Sequence, residues 1–173
     1  MISYDGWDRE YRENKEAYLQ VFDKFMSQLN YENNEKFECE FAERIGRKYA
    51  VSVANATDAL HFALLSYGIG IGDEVLVTDF SWISSSACVS MTGATPVFCD
   101  INLDSYHMNL DSIKRMYSEK TKAIVYVHLF GNMTDTSEIQ EFCKENNLKY
   151  DVVIRTRPDL IYIDDIDNFK NNL

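Results

Sequence analysis

The hydrophobic pattern of this chain changes period once, near Tyr49, and that change constrains the fold more than any other feature. Before it, Tyr18, Leu19, Phe22, Phe25, Met26 and Leu29 recur mostly at three- and four-residue intervals, which lays one apolar stripe along a helix. The polar stretch 30–34 interrupts the stripe. A shorter helix follows with Phe37, Phe41 and Ile45 on one face, and Gly46 stands where a left-handed residue would end it. After Tyr49, short apolar runs alternate with helical patterns. The spacing predicts strands over 49–55, 74–80, 95–101, 122–131 and 150–156, and helices over 57–68, 81–93, 109–118 and 135–147. Such alternation predicts an α/β fold in three layers, α/β/α, with a mostly parallel sheet. Several strands are near-continuous apolar runs, as expected where both faces are covered.

The length of 173 residues suits one domain or part of a larger one, and 46% hydrophobic residues are enough for a core. A formal net charge of −11 argues against nucleic acid and against anionic membranes as partners. No apolar run approaches membrane-spanning length, and the first residues carry no signal-peptide pattern. Cys39, Cys88, Cys99 and Cys143 are scattered through apolar stretches without metal-ligand spacing, so reduced thiols, a cytoplasmic location and no metal site are expected.

In parallel sheets, ligands bind at the carboxyl ends of the strands, where loops lead into helix N-termini. That rule selects 54–57, 79–82, 128–132 and the tail after Ile154. In Asn55-Ala56-Thr57-Asp58 a strand gives way to a helix through small residues. The first-turn amides suit a phosphate, or Thr57 is simply the N-cap. Trp82 stands where an indole can lie on an aromatic cofactor ring, or fills a core or interface. His128 ends an apolar strand, either as a base or ligand contact or as a hydrogen-bonded structural residue. His61 reads as packing inside a helix, and His107 lies in a loop outside any constellation. Ser84, Ser85 and Ser86 lack a nucleophile elbow and read as close helix packing. Gly68, Gly70 and Gly72 follow a helix and precede a strand, so they form a turn and not a dinucleotide fingerprint.

Taken in order, ATDAL, GIGDEV, TDFSW, TGATPVFCDI and KAIVYVHLFG resemble the DegT/DnrJ/EryC1/StrS aminotransferase family, over 37–148. The resemblance implies part of the large domain of a fold type I pyridoxal-phosphate (PLP) transferase. It implies transfer of an amino group, usually from glutamate, to a nucleotide-linked keto-sugar, for surface polysaccharide such as O-antigen or for antibiotics. It also implies active sites at a dimer interface. Carried over by position, Ala56, Thr57 and Asp58 match the family's Gly-Thr-x motif, whose backbone amides hold the PLP phosphate, with Ala56 in place of glycine. Trp82 matches the aromatic residue that stacks on the pyridine ring, and His128 to Gly131 the loop beside the cofactor.

The chain departs from the family after about Leu148. PLP chemistry needs a lysine to hold the cofactor covalently and a carboxylate against its pyridine nitrogen. No lysine here has the family's context, and the family's E-D-A-A-Q motif is replaced by KYDVVIRTRPDLIYIDDIDNFKNNL. The chain therefore divides into a helical segment 1–34, a partial PLP-binding domain 35–148 and a divergent tail 149–173. It is expected to be truncated and inactive alone, with no catalytic residue of its own, and to act as a homodimer or beside a full-length homologue. The tail resembles a segment of polysaccharide-synthesis proteins of glycosyltransferase type. Asp165 could stand in for the missing carboxylate. Alternatively Asp165 and Asp167, with Asp164 nearby, could hold a divalent metal against a nucleotide-sugar diphosphate, aided by Arg155 and Arg157. A third reading is a non-catalytic partner of a complete aminotransferase, and the bland reading of the tail is a solvated acidic loop.

Overall fold

In the computed structural model, which describes residues 7–28, 32–148 and 160–163, helix alone precedes Tyr49 and mixed structure follows it. The chain separates into two units, Met1–Phe37 and Glu38–Leu173. The first unit holds the 22-residue helix α1 (Trp7–Gln28). Its stripe is exposed, with Tyr18 at 45%, Phe22 at 58% and Met26 at 57% of full accessibility.

Helix α2 (Glu32–Arg44) ends as its sequence suggests. Gly46 adopts φ 67°, its amide donates to Glu43 O, and Arg47 N donates to Ala42 O. That double closure satisfies the last carbonyls and needs a left-handed residue. Glu38 of the same helix accepts from the backbone N (2.6 Å) and the hydroxyl (2.5 Å) of Ser52, tying it to β1 (Tyr49–Ser52).

The remaining elements are α3 (Ala56–Ser66), β2 (Glu74–Thr78), α4 (Ser84–Met91), β3 (Thr95–Cys99), α5 (Leu110–Met116), β4 (Thr121–Val125), a single 3-10 turn (Leu129–Gly131), α6 (Ser137–Glu145) and β5 (Leu160–Ile163). Strands β3, β2 and β4 form a parallel sheet in that order. β1 pairs antiparallel with β5, from Tyr49 opposite Ile163 to Ser52 opposite Leu160.

The two-residue period of a strand sorts the apolar side chains onto two faces. Val75 and Val77 with Ala123 and Val125 meet Leu60 and Leu64 of α3 and Cys88 and Val89 of α4. Leu76 and Ile124 face the other way, toward Ile113 of α5, Cys143 of α6 and Leu148. Helices on both faces make three layers, the fold class predicted from the alternation. Each large aliphatic side chain so buried contributes about 1.5–3 kcal/mol.

The strands are shorter than the apolar runs that announced them. The run 122–131 yields a strand only to Val125, because Phe130 and Gly131 take positive φ and leave the extended region. The predicted strand 150–156 lies outside the described residues. So do Arg155, Arg157, Asp164, Asp165 and Asp167, and with them both readings of the acidic tail.

The buried thiols give the fold a pH limit. Burial pushes Cys88 from its ordinary 9.0 up to about 12 and Cys99 up to about 11. An unfolded chain loses these protons near 9, whereas the folded one retains them, so their contribution to stability is complete below pH 9 and declines above it. The melting temperature should fall progressively from about pH 9 to pH 11, and the Cys88→Val variant should show a shallower fall, measured by circular dichroism.

Candidate functional site

The carboxyl ends of β2, β3 and β4 form one edge, and the N-terminus of α4 opens there after β2. Helix α3 reaches the same place through its partner. Thr57 Oγ1 lies 2.8 Å from Ser84 Oγ, so the first turns of α3 and α4 are joined by a hydroxyl–hydroxyl bond. This corrects one sequence expectation. Thr57 is not the N-cap of α3; Asn55 is, with extended φ and ψ of −164° and 168°.

Asn55 Oδ1 accepts from the Asp58 amide at 2.9 Å, while Asn55 Nδ2 donates to Asp58 Oδ2 at 2.9 Å. The first helical bond runs from Ala59 N to Asn55 O. The amides of Ala56 and Thr57 therefore fall outside the helical ladder, at the positive end of an 11-residue helix. Such a turn complements an anion with two backbone donors and one hydroxyl.

Trp82 precedes α4 by two residues instead of opening it, and its carbonyl accepts from Ser85 N. Its side chain is 79% exposed, which rules out the core reading within this chain. Ser85 is buried against the helix pair, as the packing reading expects, whereas Ser84 has the polar task described above.

His128 stands three residues after β4. Its ring meets Tyr126 at 5.2 Å and His107 at 5.8 Å between centroids, nearly edge-on in both cases. His107 is a second correction. It is 2% exposed and its Nε2 lies 2.6 Å from the carbonyl of Asn132, so the loop residue outside any constellation is a buried neighbour of His128. His61 is half-buried and stacks on Phe62 at 5.6 Å, a packing role as read from its helix.

Asp79 and Asp100 follow β2 and β3 at this edge, and the sequence reading passed over them as a pair. Partial burial first, then the charge and hydrogen bond of Asp100, raise the Asp79 carboxyl above the usual range. Arg115 Nη2 holds Asp100 Oδ2 at 3.2 Å. Strand-end position was the available signal, since adjacent parallel strands bring their next residues together.

Among the described residues of the 38–173 unit, no lysine follows the carboxyl end of a strand. Lys48 and Lys120 precede β1 and β4, Lys122 is the second residue of β4, and Lys114 and Lys144 lie in α5 and α6. The residues of the edge thus fit the phosphate and one ring face of PLP. They do not include its covalent anchor. No cluster of three or more candidate metal ligands occurs among the described residues. A cavity of about 380 Å³ between Tyr67, Asp73, Tyr117, Glu119, Lys122 and Asn146 sits at the amino ends of β2 and β4, the opposite edge of the sheet. No described helix is long and apolar enough to cross a membrane.

Comparison with known proteins agrees with the fold and with the motifs. A family model described as the DegT/DnrJ/EryC1/StrS aminotransferase family matches residues 9–152. The GDP-perosamine synthase of Escherichia coli O157:H7 is 44% identical over 114 residues, which cover 66% of this chain and 31% of that protein. The crystal structure of S. venezuelae DesV superimposes with a TM-score of 0.77 at 31% identity, covering 83% of this chain and 39% of that one. The PLP form of the sugar aminotransferase Spr1654 from Streptococcus pneumoniae gives 0.63 at 27% identity, over 70% of this chain and 31% of that one. The chain thus spans about a third of the length of these proteins.

Replacing the cap tests the local geometry. Asn55→Ala should cost about 1 kcal/mol of stability, and Asn55→Ser, which retains an acceptor for the Asp58 amide and sets no second carboxylate against Asp58, should lose less in urea unfolding.

Proposed function

We propose, for a chain that belongs to the DegT/DnrJ/EryC1/StrS aminotransferase family, that this edge is the phosphate-and-ring half of a PLP site. The enzyme type is one that aminates a nucleotide-linked keto-sugar. The observation that carries the reading is the 2.8 Å bond between Thr57 and Ser84, which brings the first turns of two helices together beside the exposed Trp82. Family members and solved neighbours contain PLP or its amino form.

In this reading the Ala56 and Thr57 amides and the Thr57 hydroxyl hold the phosphate. Asp58 orders that turn through Asn55. Trp82 covers one face of the ring and excludes water from it. His128 lies beside the ring and offers an imidazole nitrogen. When bound, PLP supplies the electron sink through which an amino group is exchanged.

The partners are an amino donor, a nucleotide-linked keto-sugar related to the product of the perosamine synthase, and a second family subunit, either a copy of this chain or a full-length homologue. The location is the cytoplasm. Among the described residues of the 38–173 unit no lysine follows the carboxyl end of a strand, so this edge supplies the phosphate and ring contacts and not the covalent anchor.

Titration of the protein with PLP, pyridoxal and inorganic phosphate tests the reading. PLP should bind at least about tenfold more tightly than pyridoxal, and Thr57→Val should weaken PLP about tenfold while leaving pyridoxal unchanged, the scale of one charge-assisted hydrogen bond. Borohydride treatment followed by peptide mass spectrometry should find no modified lysine. Equal affinities for PLP and pyridoxal would sink the phosphate assignment, and a reduced lysine adduct would show that the covalent anchor lies within this chain.

A further inference from the structure

His107 and Asn132 are 25 residues apart in sequence and meet in a short, partly buried hydrogen bond of 2.6 Å. A carbonyl oxygen only accepts, so Nε2 of His107 carries the hydrogen. Asn132 Nδ2 donates back to Ser105 O at 3.3 Å. Two loops, the one after β3 and the one after β4, are therefore tied by bonds running in opposite directions. The first loop is itself closed, with Asn102 N on His107 O (2.9 Å) and Tyr106 N on Asn102 O (2.8 Å). The His107 ring lies parallel to Tyr126, 2° between planes and 5.9 Å between centroids. Its Nδ1 is buried and meets no hydrogen-bond partner among the described residues.

The tie sits between two backbone strains. Tyr106 holds φ 60° and Phe130 holds φ 57°, both in the left-handed region that a Cβ disfavours. Nothing apolar is gained by that conformation, for Phe130 remains 77% exposed and Tyr106 44% exposed. Yet the strained pair presents a row of rings. Tyr106 meets Phe130 edge-on at 6.4 Å and Phe80 at 5.8 Å. Strained residues persist where their surroundings over-determine them. The bond from His107 is the shorter of the two polar contacts given above that span both loops.

We propose that His107 is a positioning residue. Its bond to Asn132 fixes the segment 128–132, and so sets the His128 ring and the Phe80–Tyr106–Phe130 row as one wall of the carboxyl-edge site. The proposal rests on the PLP reading only where cofactor affinity is measured.

Three variants of the full chain test it. In His107→Gln the carboxamide nitrogen reaches about the position of Nε2 and can still donate to Asn132. In His107→Asn it reaches only about the position of Nδ1. His107→Leu retains bulk alone. Amide hydrogen exchange at Gly131 and Asn132, whose amides bond His128 O and Leu129 O, reports the loop, and exchange in β2 reports the whole fold.

The expected result is about tenfold faster loop exchange in His107→Asn and His107→Leu with β2 unchanged, and rescue by His107→Gln to within about threefold of the parent. PLP affinity should follow the same order. If the asparagine and leucine variants lose β2 protection, the glutamine variant decides. A protected loop in it supports the proposal, and a loop as fast as in a fully opened segment overturns it. Equal exchange in all three folded variants also overturns it, since packing alone would then suffice. Failure of the parent chain to bind PLP would count against the cofactor reading, while loop exchange would still decide the role of His107.

Discussion

Strand β2 has water on neither face, and most of the α/β unit follows from that. Val75, Leu76 and Val77 have no exposed surface, and their backbone groups are paired on both sides by β3 and β4. An apolar strand can be covered this way only if helices lie on both faces of the sheet. Parallel neighbours in turn require crossovers, here α4 between β2 and β3 and α5 between β3 and β4. Every crossover begins at the carboxyl edge, so loops and helix N-termini collect there.

Polar bonds between loops give that edge its shape, because little apolar burial is available to do it. Asn55 organises the first turn of α3, Thr57 and Ser84 join two helices, and Asn109 Oδ1 caps α5 through Ser112 N at 3.0 Å. His107 ties the last two loops together. What these bonds leave open to solvent is aromatic: Trp82 at 79% and Phe130 at 77% exposure. Exposed rings beside such polar contacts suit a surface that meets a flat ligand or another subunit.

The superposition on S. venezuelae DesV, with a TM-score of 0.77, agrees with the α/β fold, and the chain covers about a third of the length of its relatives. Within that portion, the turn proposed to hold the phosphate and the indole proposed to cover the ring are both built from a single strand–helix–strand–helix segment. Such a segment can form its core locally, since α3 and α4 pack on the same face of β2.

Periodicity alone carried the fold class. The switch near Tyr49, the continuous apolar run Val75, Leu76 and Val77, and Gly46 after α2 were all readable, because strand pleat and helix pitch are local properties of the backbone. The strand–loop–helix junctions at Ala56, Thr57 and Trp82 were readable for the same reason. Which residue capped α3 was less so, since Asn55 and Thr57 are both good caps and only the observed φ of −164° at Asn55 selects one. The partnership of His107 with Asn132 and of Thr57 with Ser84 was not readable, and that of Asp79 with Asp100 was signalled only by their strand-end positions. Those pairs are separated by 21 to 27 residues and are joined by strand order and crossover length. A contact of that kind is decided when the sheet assembles, because the sequence between its members sets only their local conformation and not which edge they will share.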